Sequence, residues 1–291
     1  MTKKINLFII YFLILIEFLL LFNSKIIVKN VILSSKMFIM TVFPSLFPSM
    51  IVGNLLVKNN ISIIIPKFIK NLFKKLFNYS EYMTSIFIIS IITGTPSNAL
   101  YIEEYLNKGL INNEEASSLM RSTHFINPLF VVSLVGVNIF NSIKVGFIIL
   151  FLILIDNLIK AYITRPKNKS KNKNYINLND ETFINKLFST IKTSINSVLM
   201  ILSVVILFNI LTTLIQHIFS LNDITSTLIN GILEMTGGIT KISCLNINNI
   251  LKFIFSFYIL NFGGICIHMQ ALSMIKSKKI RYFKYLIFRL F

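Results

Sequence analysis

The chain has 291 residues, of which 54% are hydrophobic and only 14% are charged, and its mean hydropathy is +0.74. Charged residues make up about 25% of an ordinary soluble domain. This composition therefore excludes a soluble globular protein and predicts an all-α polytopic membrane protein. At about 20 residues per span, the length fits one compact helical bundle without a soluble catalytic domain beside it.

The net charge is +18, from 29 Lys and Arg against 11 Asp and Glu. Basic cytoplasmic loops and contact with anionic lipid explain this excess, and no nucleic-acid-binding motif occurs. The two cysteines, Cys244 and Cys266, lie in apolar surroundings without C-x-x-C spacing, so we predict neither disulfides nor a metal site. Nucleotide-binding, zinc-protease and nucleophile-elbow motifs are also missing from the sequence, so we predict neither catalysis nor a cofactor.

Residues 1 to 30 begin with two lysines and a long apolar run, which predicts a retained first transmembrane helix that starts in the cytoplasm. We expect the chain to leave the membrane near Asn23 and to return through residues 37 to 57, a second span with two prolines that favour a kink. Lysines and apolar residues then recur at helical spacing over residues 65 to 77. This pattern predicts an amphipathic helix on the cytoplasmic surface.

The next apolar run is only about half a bilayer deep and is broken at Gly94 and Pro96. Non-helical backbone persists in a membrane only where protein or a water-filled cavity covers its polar groups. We therefore predict a re-entrant hairpin over residues 83 to 106. The polar residues at this break are candidate substrate contacts: Thr95, Ser97 and Asn98.

A capping residue followed by acids at residues 112 to 115 predicts a helix start. Pro128 then breaks the helical backbone and opens a predicted span over residues 128 to 140. Asn127 precedes it and is a candidate substrate contact, because its amide can both donate and accept hydrogen bonds. A further span leads to residues 164 to 194, which we predict to be a basic cytoplasmic linker with an amphipathic helix.

The remaining chain contains broken elements again. Residues 195 to 218 form a predicted span, whereas residues 228 to 243 are too short and too interrupted to cross and predict a second re-entrant segment. Residues 247 to 275 return inward through another break, and the last ten residues are expected in the membrane interface. The predicted breaks of this region are Gly237, Gly238, Gly263 and Gly264.

We interpret residues 31 to 163 and 195 to 291 as two halves, each with a span ahead of a broken element. The counted topology sends these two spans in opposite directions, which is the pattern of an inverted repeat around a transport site. Helix N-termini at such breaks carry partial positive charge and can bind carboxylates. The alternative is that the glycines only allow close helix packing.

Ionisable residues at membrane depth are costly and usually functional. Glu234 could bind a coupling proton or pair with Lys241, and His268 could meet a carboxylate or relay a proton. A structural hydrogen bond is the alternative for both. His124 and His217 are expected to be exposed at span ends. The other candidate contacts of the second half are Asn261, Gly263, Gly264 and Gln270.

Six short motifs follow one another along the chain: Phe43 to Pro48, Thr93 to Pro96, Glu114 to Ala116, Asn127 to Phe130, Leu233 to Gly238 and Asn261 to Gln270. Together they resemble the sporulation integral membrane protein family of the YlbJ type, built on the nucleoside-recognition or Gate domain, from residue 31 onward. The resemblance implies two Gate-like halves related to half-helix nucleoside transporters. It also implies a place in the mother-cell or outer forespore membrane and dipicolinic acid as cargo.

The first break departs from the family pattern Gly-Tyr-Pro-x-Gly-Ala-Lys, since Thr95, Asn98 and Leu100 replace its Tyr, second Gly and Lys. Loss of the lysine removes an obvious partner for a carboxylate. The leading hypothesis is a transporter of a small anion, most of all dipicolinic acid. The alternatives are a non-transporting sporulation scaffold and a nucleoside or purine carrier. Expected partners are the anion and the lipid bilayer but no nucleic acid, and a homo-oligomer is left open.

Overall fold

The computed structural model describes residues 2 to 167, 182 to 275 and 282 to 290, and every regular element in these ranges is a helix. The helices are α1 (Thr2–Phe22), α2 (Ser24–Met37), α3 (Phe43–Lys58), α4 (Lys67–Phe77), α5 (Glu81–Thr93), α6 (Ser97–Asn107), α7 (Asn113–Ser122), α8 (Pro128–Phe130), α9 (Asn138–Phe140), α10 (Ile143–Ile163), α11 (Phe183–Phe219), α12 (Asp223–Leu233), α13 (Met235–Cys244), α14 (Asn249–Phe262), α15 (Gly264–Met274) and α16 (Tyr282–Leu290). π-Helical turns at Phe38–Val42 and Val131–Val137 join α2 to α3 and α8 to α9. The all-α prediction is confirmed.

Four helical stretches in the described part of the chain are long and apolar enough to cross a membrane. They are Ser24–Lys58, Ile143–Ile163, Phe183–Phe219 and Asn249–Met274. The prediction of a multi-pass membrane protein is therefore confirmed.

The first of these stretches is longer than the sequence predicts. Residues expected to connect two spans are instead helical, because α2 continues into α3 through a π-turn in which the Phe43 N–H bonds to the Phe38 carbonyl. Pro44 follows in the first turn of α3, where its missing N–H is least costly. The π-helical turn thus allows the helix to continue through Pro44.

Helix α11 also begins earlier than predicted. The expected span over residues 195 to 218 lies inside Phe183–Phe219, and the Thr182 hydroxyl caps the helix by accepting from the Asn185 N–H. The boundary predicted at residue 195 consequently falls within a continuous helix. Residues 168 to 181, the larger part of the predicted linker, lie outside the described residues.

The predicted span over residues 128 to 140 is helical but short. At 1.5 Å per residue it rises roughly 20 Å, less than the ~30 Å of a bilayer core. It packs closely on α10, because a Cβ atom on Gly136 would lie 3.2 Å from the Gly146 Cα atom. This helix therefore covers about two-thirds of the bilayer core and packs against α10, which is long enough to cross it.

The amphipathic helix and the predicted helix start are both present. Phe73 of α4 contacts Phe77 and Phe87 edge to face. Lys67, Lys74 and Lys75 of this helix are exposed, whereas Lys70 pairs with Glu81. At the start of α7, the Asn112 side chain accepts from two backbone N–H groups, and Glu115 accepts from the Asn112 N–H in return. This capping box matches the pattern in the sequence.

The C-terminal helix α16 packs against α7 and α14. Tyr285 and Arg289 are 2% and 1% exposed, whereas Phe283 faces outward. The location of the last ten residues in the membrane interface stays a prediction.

Candidate functional site

The first break lies where the sequence predicts it. Helix α5 ends at Thr93, Gly94 takes a φ of 76°, and a cis Thr95–Pro96 peptide leads to Ser97, the start of α6. A Cβ atom on Gly94 would lie 2.6 Å from the Asn127 backbone nitrogen. Glycine is therefore needed both for its backbone conformation and for the close approach of another chain segment.

That neighbouring segment, residues 123 to 127, is itself non-helical and joins α7 to α8. The Thr95 N–H donates to the Phe125 carbonyl at 2.6 Å. The Asn98 amide donates to the carbonyl and hydroxyl of Thr123, both at 3.0 Å. The break at Pro128 was predicted, but residues 123 to 126 were not. An asparagine cap directly before a proline, at residues 127 and 128, indicates that the chain ahead of them is not helical.

Asn127 organises the end of this segment. Its side-chain oxygen accepts from the Leu129 N–H at 3.0 Å and so caps α8, while its amide donates to the Ser49 hydroxyl at 2.9 Å. The same amide also donates to the Ser45 carbonyl of α3. Asn127 thus ties the unwound segment to a long helix.

The second break touches the same segment from the other half of the chain. Gly263 and Gly264 have φ angles of 84° and 74°, and a Cβ atom on Gly263 would lie 2.5 Å from the His124 Nε2 atom. His124 is fully buried, so the expectation that it is exposed is wrong. Its backbone N–H and carbonyl are both bonded by the side-chain amide of Asn157, which fixes the segment against α10. His217 is exposed, as expected.

A further break lies at Glu234, between α12 and α13. The Glu234 carboxylate caps α13 by accepting from the Thr236 N–H at 2.8 Å and the Gly237 N–H at 2.5 Å. The prediction that Gly237 and Gly238 break the helix is wrong, since both lie within α13. Capping by a carboxylate ends one helix and starts the next without needing glycine there.

Gly238 has a packing role instead. A Cβ atom at this position would lie 2.3 Å from the Gly231 Cα atom of α12, so the pair allows the two short helices to touch. The suggested pairing of Glu234 with Lys241 is also wrong. The Lys241 ammonium donates to the side chains of Gln216 and Ser226, both at 2.9 Å.

A cavity of about 40 Å³ lies where these breaks meet, with space for a few water molecules. Its polar lining is Thr95, Asn127, Glu234, Thr236 and Gln270. Its apolar lining comes from α3, α8, α11 and α15, among other elements. Four of the predicted contact residues, from both halves of the chain, are therefore brought together: Thr95, Asn127, Glu234 and Gln270.

The other predicted contacts lie behind this lining. Ser97, Asn98, Asn261, Gly263, Gly264 and His268 do not line the cavity. The His268 Nε2 atom lies 2.8 Å from the Phe262 carbonyl, and its ring packs against Tyr285. This geometry fits the structural hydrogen bond that was the alternative for His268.

Some polar groups around the breaks nevertheless have no hydrogen-bond partner or cap among the described residues. Three oxygens at the breaks are among the buried side-chain atoms without a hydrogen-bond partner in the described part of the chain: Thr95 Oγ1, Asn98 Oδ1 and Asn261 Oδ1. The N-termini of α6 and α15 have no side-chain cap, in contrast to those of α8 and α13. Among the described residues that line the cavity, Glu234 alone is ionisable. The lining thus combines hydroxyl and amide side chains with one carboxyl group, and the first residues of α6 and α15 lie outside it.

These features define a polytopic α-helical membrane protein with a small cavity between broken helices, whose lining is mostly apolar and includes five polar side chains. The chain is 22% identical to the sporulation integral membrane protein YlbJ of Bacillus subtilis (strain 168), over 86% of this chain and 70% of that protein. It is a homologue of YlbJ, and the resemblance to the YlbJ-type family drawn from the six motifs is confirmed. No protein-family model and no solved structure matches the chain, and the Gate domain stays a prediction.

Proposed function

We propose that this protein transports a small anionic metabolite across a membrane during endospore formation. The observation that carries the proposal is the polar cavity formed by breaks from both halves of the chain. Irregular backbone at membrane depth is tolerated where it lines a cavity, and broken helices at the midplane bind substrates in known transporters. The sporulation role comes from the homologue, whose name describes a sporulation membrane protein.

The cargo we propose is dipicolinic acid, as the resemblance to YlbJ-type proteins implies. Leu100 occupies the position of the family lysine, so the described cavity lining offers a carboxylate no cationic side chain. The N-termini of α6 and α15 have no side-chain cap and their first residues lie outside the present lining, and we propose that they supply backbone N–H donors once the cavity opens. Direction towards the forespore and a place in the mother-cell or outer forespore membrane belong to the same proposal.

Glu234 gives the proposed cycle a coupling group. An ionised carboxylate in this enclosed cavity would repel an anionic cargo, because like charges interact strongly where little water screens them. Cargo and ionised Glu234 therefore cannot occupy the cavity together at low cost. We propose that Glu234 takes up a proton when the anion binds and releases it with the anion.

The cavity must also open. Its present volume holds a few water molecules, whereas dipicolinic acid has a six-membered ring and two carboxyl groups. We propose that the short helices at the breaks move apart around the glycines to admit the cargo. Such rocking of one half against the other is the usual basis of alternating access.

Uptake of radiolabelled dipicolinate into vesicles containing the purified protein tests the proposal. We expect uptake above that of empty vesicles and its stimulation by a pH gradient. Thr95→Val removes a hydroxyl from the cavity lining and should reduce uptake, whereas Thr84→Val removes a buried hydroxyl elsewhere and should not. Folded protein without dipicolinate uptake would refute the cargo. Uptake of a nucleoside or purine instead would support the carrier alternative, and no uptake of either would support the scaffold.

A further inference from the structure

Arg289 of α16 is buried and forms no ion pair with a carboxylate in the described part of the chain. It is 1% exposed, and its Nη2 atom donates to the Arg121 backbone carbonyl. Its Nε and Nη1 atoms have no hydrogen-bond partner among the described residues. An arginine stays protonated in proteins, so it cannot avoid this situation by losing its charge.

The charges around Arg289 do not balance it. Asp156 is a carboxylate within electrostatic reach of the guanidinium, but it already pairs with Lys160 at 2.6 Å. Lys160 is itself buried and lies within electrostatic reach of Arg289. The Arg121 guanidinium is not part of this group, because it stacks 5.3 Å from the Phe288 ring and has a carboxylate of its own, Glu114, within electrostatic reach. The Arg289 guanidinium also lies 5.8 Å from the Tyr285 ring, which is not a counter-ion. Arg289, Lys160 and Asp156 therefore carry two positive charges and one negative charge.

We propose that this cluster, made of Asp156, Lys160 and Arg289, binds one oxyanion, either a carboxylate or a phosphate. A buried unpaired cation is strongly destabilising, whereas an oxyanion would satisfy the guanidinium by charge and by hydrogen bonds. The cluster has no residue in the lining of the central cavity. This anion site is thus separate from the proposed cargo site and does not depend on the proposed function.

The position of the cluster admits two sources for the anion. Lys160 lies in the last turn of α10, and Arg165 and Lys167 follow directly after the helix ends. This end of the bundle is predicted to face the cytoplasm. Lipid headgroups carry phosphates at this depth, and the cytoplasm carries free phosphate and small carboxylates. Both would present the same chemistry to the guanidinium.

Thermal unfolding of the purified full-length chain in nanodiscs separates these sources. In phosphatidylcholine nanodiscs, we expect inorganic phosphate to raise the Tm by roughly 5 °C over sodium chloride of equal ionic strength if the site takes a free anion. If it takes the phosphate of an anionic lipid, which has no choline cation to neutralise it, the rise should appear only when phosphatidylglycerol replaces part of the phosphatidylcholine. A wild-type Tm that responds to neither change would overturn the proposal.

Two variants assign the response to Arg289. Arg289→Met should lose the rise in Tm, and Arg165→Met, which removes a cation stacked on the Tyr162 ring, should keep it. An equal rise in Arg289→Met would overturn the proposal. Should Arg289→Met not fold, Arg289→Lys keeps the charge but not the planar guanidinium, and should need about tenfold more of the active anion. An unchanged requirement in Arg289→Lys would also overturn it.

Discussion

Replacing Gly94 by alanine tests whether the first break is held in place by its contact with the unwound segment at residues 123 to 127. The chain offers a matched control. Gly94 and Gly109 both have positive φ angles, of 76° and 68°, but a Cβ atom on Gly109 would have nothing within 4 Å. Both substitutions therefore place a side chain at a positive φ, and Gly94 differs by its steric contact and by its extended ψ of 178°.

The size of the difference follows from these geometries. A positive φ costs an alanine about 1–2 kcal/mol at either position, and Gly94, with a φ of 76° and a ψ of 178°, lies in a region essentially restricted to glycine. At Gly94 the new Cβ atom would also lie 2.6 Å from the backbone nitrogen of Asn127 and 3.0 Å from its Cα atom. Backbone cannot rotate away as a side chain can, so we add the about 1–3 kcal/mol typical of overpacking. Gly94→Ala should thus be the less stable variant by about 1–3 kcal/mol.

Thermal unfolding of both variants in the same detergent measures this difference. At about 2–4 °C per kcal/mol, Gly94→Ala should melt roughly 2–12 °C below Gly109→Ala. It should also lose dipicolinate uptake at temperatures where it remains folded, because the unwound segment is pushed away from Thr95. Equal melting temperatures for the two variants would refute the close packing of these segments.

Three other substitutions test separate parts of the account. Glu234→Gln should keep the exchange of labelled for unlabelled dipicolinate but lose uptake driven by a pH gradient. Gradient-driven uptake by this variant in vesicles at the wild-type rate would argue against proton coupling through Glu234. Asn98→Ala removes two hydrogen bonds to Thr123, whose carbonyl keeps the Phe125 N–H and whose hydroxyl keeps the Leu119 carbonyl, and should lower stability by about 0.5–1.5 kcal/mol. This is measured as the Tm, and an unchanged Tm would show that this bridge contributes little. Gly238→Val would force α13 from Gly231 and should reduce the folded protein in membranes, measured by fluorescence size-exclusion chromatography; a wild-type peak would contradict this packing.

The breaks at Gly94 and at Gly263-Gly264 could be predicted from the sequence because glycine and proline disrupt helices by their own covalent structure. The break at Glu234 could not be placed in this way. Glycine is tolerated inside a helix when a neighbour packs against it, and this is the case for Gly238 beside Gly231. The helix instead ends where a carboxylate caps the next one, a role that depends on local geometry.

Burial of polar residues was the least predictable property. His124 and Arg289 stand near the ends of apolar runs, where the sequence suggests exposure, yet both are buried by elements distant in the chain. Helix α16 covers this region, and its position depends on contacts with α7 and α14. The four cavity residues Thr95, Asn127, Glu234 and Gln270 were named from polarity beside breaks. Their convergence required the tertiary structure.

Protection of a cysteine in the cavity tests most directly the claim that the broken helices enclose the cargo site. Thr95→Cys places a thiol in the lining, and the native Cys244, which is exposed and outside the lining, serves as an internal control. Dipicolinate should slow alkylation of the thiol at position 95 and leave the rate at Cys244 unchanged. If saturating dipicolinate leaves both rates unchanged in protein that transports it, the cargo binds elsewhere and the central claim is wrong.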